Sequence, residues 1–123
     1  MGPSMDDNRP IFVQIAERIE DDIIEGTLLE ETQAPSTTHI AAFYRINPAT
    51  AAKGVNLLVD EGILYKKRGI GMFVSTGARQ IAVNKRKEQF YEQYIVAMIR
   101  EAKRLGITVE QLKDMIQKGE VNP

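Results

Sequence analysis

The sequence predicts a mainly α protein with a small β-hairpin: an N-terminal winged helix-turn-helix followed by a C-terminal two-helix dimerisation module. Three observations predict it. A capped-helix signal at Asn47-Pro48 runs directly into two short β-prone segments around Arg68-Gly69-Ile70-Gly71. Two helical patterns precede that pair, and two more follow it on either side of Gly106. Charge is segregated: residues 45–87 hold nine bases against two acids, residues 1–44 two against nine, and residues 88–123 five against six.

Residues 10–25 place Ile11, Ile15, Ile19 and Ile23 at steps of four, the apolar stripe of a helix that covers the back of the next two. Ser36 suits the cap of a short helix over residues 37–43, and residues 44–46 form the tight link of a helix-turn-helix. The next helix spans residues 47–61. Asn47 caps it by accepting backbone N–H bonds, and Pro48 fits the first position, where no N–H partner is needed.

Ala51, Gly54, Val55 and Leu58 form one apolar face of this third helix, and Ala49, Ala52, Lys53 and Asn56 repeat the spacing on the opposite one. Large charged residues normally solvate an exposed face. A small, neutral face ending in Lys53 instead suits a surface lying close against thymine methyls and a phosphate.

Gly62 stops the helix, and residues 63–67 and 72–75 form a hairpin with a glycine-hinged tip. Lys66, Lys67 and Arg68 bring three positive charges to that tip, within reach of phosphate or a narrow minor groove, as in a wing. The competing reading is a charged edge strand that blocks aggregation. The glycines Gly69 and Gly71 favour the wing.

These residues, taken in order, resemble the GntR family of winged-helix transcription regulators, in particular its short YtrA-like branch, over residues 10–75. The carriers are Pro10-Ile11-Phe12-Val13-Gln14-Ile15, Ile24-Glu25-Gly26-Thr27-Leu28, Pro35-Ser36, the segment from Ile46 to Lys53, and the run from Asp60 to Val74. The resemblance implies a dimeric repressor of an operator, with a transporter operon, commonly of the ABC type, as its target. In that family an acidic-basic pair often follows Pro-Ser and arginines often stud the recognition helix. Here those positions are Thr37, Thr38, Pro48 and Ala52. Without guanidiniums for bidentate guanine contacts, readout is expected through thymine methyls, threonine hydroxyls and DNA shape.

The expected contacts to double-stranded DNA therefore comprise Ser36, Thr37 and Thr38 at one helix start, Arg45 and Asn47 at the turn, and Ala49, Thr50, Lys53 and Asn56 on the recognition helix. Lys66, Lys67, Arg68, Gly69 and Gly71 complete the set on the wing. Thr50 and Lys53 carry the most weight. The overall net charge of −1 conceals this basic block, while the acidic first helix discourages unspecific coating of the duplex.

At 123 residues the chain holds one compact domain with an appendage, since domains commonly run about 100–150 residues. The boundaries drawn are residues 8–76 for the winged domain and 77–123 for the helical module. No cysteine supplies a disulfide or thiolate metal site, and no long apolar run suggests a membrane span or signal sequence, so a cytoplasmic location is expected. Within the polar residues 1–7, Met5 marks Met1-Gly2-Pro3-Ser4 as a cloning remnant.

Residues 79–105 read as one long helix with Tyr91, Ile95, Met98, Ala102 and Leu105 as a coiled-coil-like seam, widened by Phe90 and Tyr94. Thr108 and Gln111 match a capping box for a last helix, whose apolar face is Val109, Leu112, Met115 and Ile116. Two such helices leave aromatic surface uncovered. A twofold homodimer with a four-helix cluster, meeting two half-sites of a palindromic operator, covers it. A tail folded back on its own winged domain is the alternative, and it buries less.

Catalysis gains no support. His39 is the only histidine, with no metal constellation beside it, and reads as structural or close to DNA. The acidic run Glu17-Arg18-Ile19-Glu20-Asp21-Asp22 reads as a solvated helix face rather than an acid–base pair. The stripe Phe90, Tyr91, Tyr94 offers lining for a small-molecule effector, although helical packing alone explains it, and no cofactor is implied. The rival to a repressor is a winged-helix module that docks an acidic protein and has no specific operator.

Overall fold

The computed structural model describes residues 8–121; the remnant assigned to residues 1–4 lies outside them. Helix α1, Ile11–Glu25, ends where Gly26 turns left-handed at φ +86° and donates its N–H to the Ile23 carbonyl. Ile15, Ile19 and Ile23 of the expected stripe are buried, while Ile11 at the helix start is exposed. The acidic run divides. Asp21 and Asp22 face solvent, but Glu20 is fully buried rather than part of a solvated face. The helical period explains this, because Ala16, Glu20 and Ile23 share one inward edge of the stripe.

Helix α2 spans Thr37–Tyr44 and helix α3 spans Pro48–Asp60. Between them Arg45 adopts φ +56°, and its N–H donates to the Ala41 carbonyl, as does that of Ile46. The expected apolar face of α3 is buried at all four positions, Ala51, Gly54, Val55 and Leu58. At Gly54 the backbones of α1 and α3 nearly touch: a Cβ there would lie 2.8 Å from the Phe12 carbonyl oxygen and 3.0 Å from Cγ2 of Ile15.

Strands β1, Leu64–Lys67, and β2, Gly71–Val74, pair antiparallel from Leu64 opposite Val74 to Lys67 opposite Gly71. Along the other edge of β2 lies a segment for which the sequence predicts no strand. Glu31 N–H donates to Val74 O at 2.8 Å, Val74 N–H to Thr32 O at 2.9 Å and Ala34 N–H to Met72 O at 2.9 Å. Gln33 thereby bridges Phe73.

One core joins these pieces, drawing Ile40 from α2, Leu58 from α3, Ile63, Leu64 and Val74 from the hairpin, and Ala78 and Ala82 from the next helix. That helix, α4, is Ala78–Phe90. The described residues form two compact units that divide between Asn84 and Lys85, and the division falls inside α4 because its first turns belong to the winged core.

The predicted long helix runs without a gap from Ala78 to Arg104 but contains one wider turn. A π-helical segment, Tyr91–Ile95, separates α4 from α5, Val96–Arg104, and Val96 N–H donates to Tyr91 O, five residues back. The wider turn offsets the helix face before it from the face after it. The Phe90 and Tyr94 rings lie 5.5 Å apart. Helix α6, Val109–Val121, starts in a reciprocal capping box: Thr108 N–H donates to Gln111 Oε1 at 2.8 Å and Gln111 N–H to Thr108 Oγ1 at 3.2 Å. Met98, Ile99 and Ala102 of α5 face Leu112 and Ile116 of α6 across an apolar groove.

Candidate nucleic-acid interface

Two helix starts are built by side-chain caps. Ser36 Oγ accepts from His39 N–H at 3.0 Å, and Asn47 Oδ1 accepts from Ala49 N–H at 2.8 Å. Ser36, Thr38, Arg45, Asn47 and Ala49 are exposed around these starts, and Thr37 and Thr50 are half-buried. Uncompensated N–H groups at a helix start favour anionic oxygens, so both ends suit phosphate.

The outer face of α3 and the start of α1 line one open groove, which includes Phe12, Ala49, Ala52, Lys53 and Asn56. The alanines keep its wall low. Lys53 Nζ lies 4.2 Å from the centre of the Phe12 ring, a cation–π contact that holds the ammonium at the groove while the residue stays exposed. Phe12 is a partner that sequence reasoning missed, since periodicity within one helix carries no information about what faces it.

On the wing, the three expected cations separate. Successive residues of a strand point to opposite faces. Lys66 is exposed, whereas Lys67 Nζ lies back over the Phe73 ring at 4.0 Å, so only Arg68 occupies the turn itself. The turn closes with Ile70 N–H donating to Lys67 O at 3.0 Å. Gly69 at φ +79° supplies the backbone conformation this requires, and Ile70 beside it is 62% exposed.

The base of the wing is held by two acids that sequence reasoning also missed. Glu31 accepts from the Tyr65 hydroxyl at 3.0 Å and the Thr76 hydroxyl at 2.9 Å; Glu30 accepts from the N–H groups of Gly77 at 2.8 Å and Arg79 at 3.2 Å, at the start of α4. The Thr76 bond first, then that of Tyr65, lowers the Glu31 pKa below the usual glutamate range. Desolvation and the neighbouring carboxylate raise that of Tyr65. A depressed carboxyl pKa stabilises the fold at neutral pH, and the contribution fades as pH falls through the ordinary glutamate value, about 4.3, to the lowered one. An NMR titration is expected to place the Glu31 carboxyl midpoint below the ordinary glutamate value; a midpoint at or above that value would contradict the assignment.

His39 stacks on Phe43 at 6.3 Å with the rings 7° from parallel, so it serves the surface of α2. Among the described residues no group of three or more His, Cys, Asp and Glu side chains gathers to hold a metal, and no helix is long and apolar enough to cross a membrane. The residues expected at a dimer contact divide by exposure. Ala102 is buried, Ile95, Met98 and Leu112 are half-buried, and Phe90, Tyr91, Tyr94, Leu105, Met115 and Ile116 are each more than half exposed in the single chain.

Comparison with known proteins agrees with this geometry. Residues 12–74 match the model of the family described as bacterial regulatory proteins, gntR family. The HTH-type transcriptional repressor YtrA of Bacillus subtilis is 28% identical over 109 residues, covering 89% of this chain and 83% of that repressor. A transcriptional regulator of the GntR family from Bacteroides thetaiotaomicron superposes with a TM-score of 0.76 at 35% identity, over 88% of this chain and 94% of that one. The DNA-binding domain of AraR in complex with operator ORX1 aligns with a TM-score of 0.54 at 28% identity, over 61% of this chain and 90% of that domain.

Proposed function

Because this chain belongs to the gntR family of bacterial regulatory proteins, DNA-binding transcriptional regulators, we propose that it is a homodimeric repressor acting in the cytoplasm on a palindromic operator. The observation that carries this reading is the low, alanine-walled face of α3, with Lys53 held at its edge and the Arg68 turn exposed on the same winged unit. In the proposed complex α3 enters the major groove, with Ala49 and Ala52 against thymine methyls and Thr50 and Asn56 offering polar contacts to base edges. Lys53 meets phosphate. Ser36, Thr38, Arg45 and Asn47 contact the backbone from the two helix starts, and Lys66 and Arg68 reach phosphate or minor groove beyond. Gly69, with open space where a Cβ would stand, allows the wing tip to come close. The resemblance to the YtrA-like branch supports an ABC-type transporter operon as the regulated target.

Footprinting on the DNA upstream of the protein's own gene tests the reading. A protected palindrome with half-sites about one or two helical turns apart, roughly 34–36 Å per turn, is the expected result. Diffuse, salt-sensitive binding without a footprint would favour a protein-docking module instead. Lys53→Ala is expected to weaken operator binding, and Arg68→Ala to reduce the slope of log affinity against log salt by about 1, the release of one phosphate contact. Gel shifts at matched salt that leave both variants unchanged would remove α3 and the wing from the interface.

A further inference from the structure

A two-stranded hairpin with four residues per strand does not hold its own attitude in water, so something outside it has to. We propose that Glu31 and Gln33 are positioning residues for the wing, one fixing its base and the other its tip; the consequence for DNA rests on the repressor reading, the geometry does not.

The two residues sit on the segment that runs along β2, and each reaches a different end of the hairpin. The Glu31 carboxylate takes the Tyr65 hydroxyl from β1 and the Thr76 hydroxyl just beyond β2, and so ties the two strands together at their open end. Gln33 Nε2 donates to Ile70 O at 3.2 Å, inside the turn. It occupies the space that Gly71 leaves, since a Cβ on Gly71 would lie 2.8 Å from that nitrogen.

The backbone adds an independent sign. Glu31 stands at φ +62°, a left-handed conformation that a residue of its type rarely adopts. Such a conformation persists only where the surroundings determine it, and Glu31 is held both at its backbone, by its N–H bond to Val74 O, and at its carboxylate.

Charge decides between positioning and contact. A carboxylate near a phosphate-binding edge repels the ligand, so a direct role would make neutralisation favourable. A positioning role predicts the reverse for truncation. The glutamine amide still accepts from Tyr65 and donates to Thr76, so Glu31→Gln preserves the brace, whereas Glu31→Gly removes it and relieves the backbone strain at once.

The test combines amide exchange on the free full-length protein with gel shifts on its own upstream DNA. Glu31→Gly and Gln33→Ala are each expected to speed exchange at residues 66–71 and to weaken DNA binding about threefold to tenfold, with Glu31→Gln close to wild type in both. In an Arg68→Ala background the loss is expected to shrink, because the brace acts through the wing and Arg68 is one of its two proposed contacts. Unchanged exchange would overturn the proposal whatever the DNA result. So would a loss that persists in full without Arg68, or higher affinity in Glu31→Gly. A wild-type chain with no preference for its upstream DNA, but with the exchange response intact, would sink the repressor reading alone and uphold the brace.

Discussion

Gly54→Ala is expected to lower the thermal midpoint of the winged unit by several degrees, against the usual stabilising direction of such a change within a helix. Helix propensity alone favours alanine by about 1 kcal/mol. The added Cβ, however, would lie 2.8 Å from a backbone oxygen, that of Phe12, and about as close to Ile15. A flexible side-chain tip could move aside; the α1 backbone can yield only by shifting the helix away from α3. Overpacking of this kind costs about 1–3 kcal/mol, and each kcal/mol moves the midpoint by about 4–8 °C in a domain of roughly 60–100 residues. Over most of that range the steric cost exceeds the propensity gain, and contact with backbone rather than a movable tip favours its upper part. The same shift would draw Phe12 from beneath Lys53, so DNA affinity should fall even at temperatures where the variant stays folded. A calorimetric midpoint equal to or above wild type would show that the α1–α3 approach is looser than the structure has it.

How much of this was legible in the sequence depends on whether a feature is local. Asn47 with Pro48, Ser36, and Thr108 with Gln111 announce helix starts because a cap involves atoms two or three residues apart. The buried face of α3 follows from its period alone. What stayed hidden depends on partners distant along the chain. Nothing near Glu31 indicates that Tyr65 and Thr76 will meet its carboxylate, and nothing near Lys53 or Lys67 indicates a ring beneath the ammonium. Glu20 was misleading for another reason: an acid at the edge of an apolar stripe follows the stripe inward when a partner is available, and composition alone places it outside. The π turn at Tyr91–Ile95 has no signal in residue type, since Tyr-Glu-Gln-Tyr-Ile suits an ordinary helix.

Placing carboxylates on the tail at positions already open to solvent is expected to affect DNA binding more than any change on the recognition helix. Tyr94 and Met115 are 62% and 53% exposed in the single chain, so Tyr94→Glu with Met115→Glu costs the chain's own packing little beyond the Phe90–Tyr94 ring contact. In the proposed homodimer those same positions are covered, and twofold symmetry introduces each charge twice. Burying an unpaired carboxylate costs several kcal/mol, enough to dissociate an interface built from two short helices per chain. Two linked winged domains hold a palindrome about 10²–10⁴-fold more tightly than one, so the monomer should lose affinity by a factor in that range while each winged domain remains folded. Sedimentation is expected to give one chain per particle for the variant and two for the wild type, with unchanged helical circular dichroism. A variant that remains dimeric would move the interface off this face. A monomer that binds the operator as tightly as wild type would show that one winged domain suffices, and that the palindrome is not read by two.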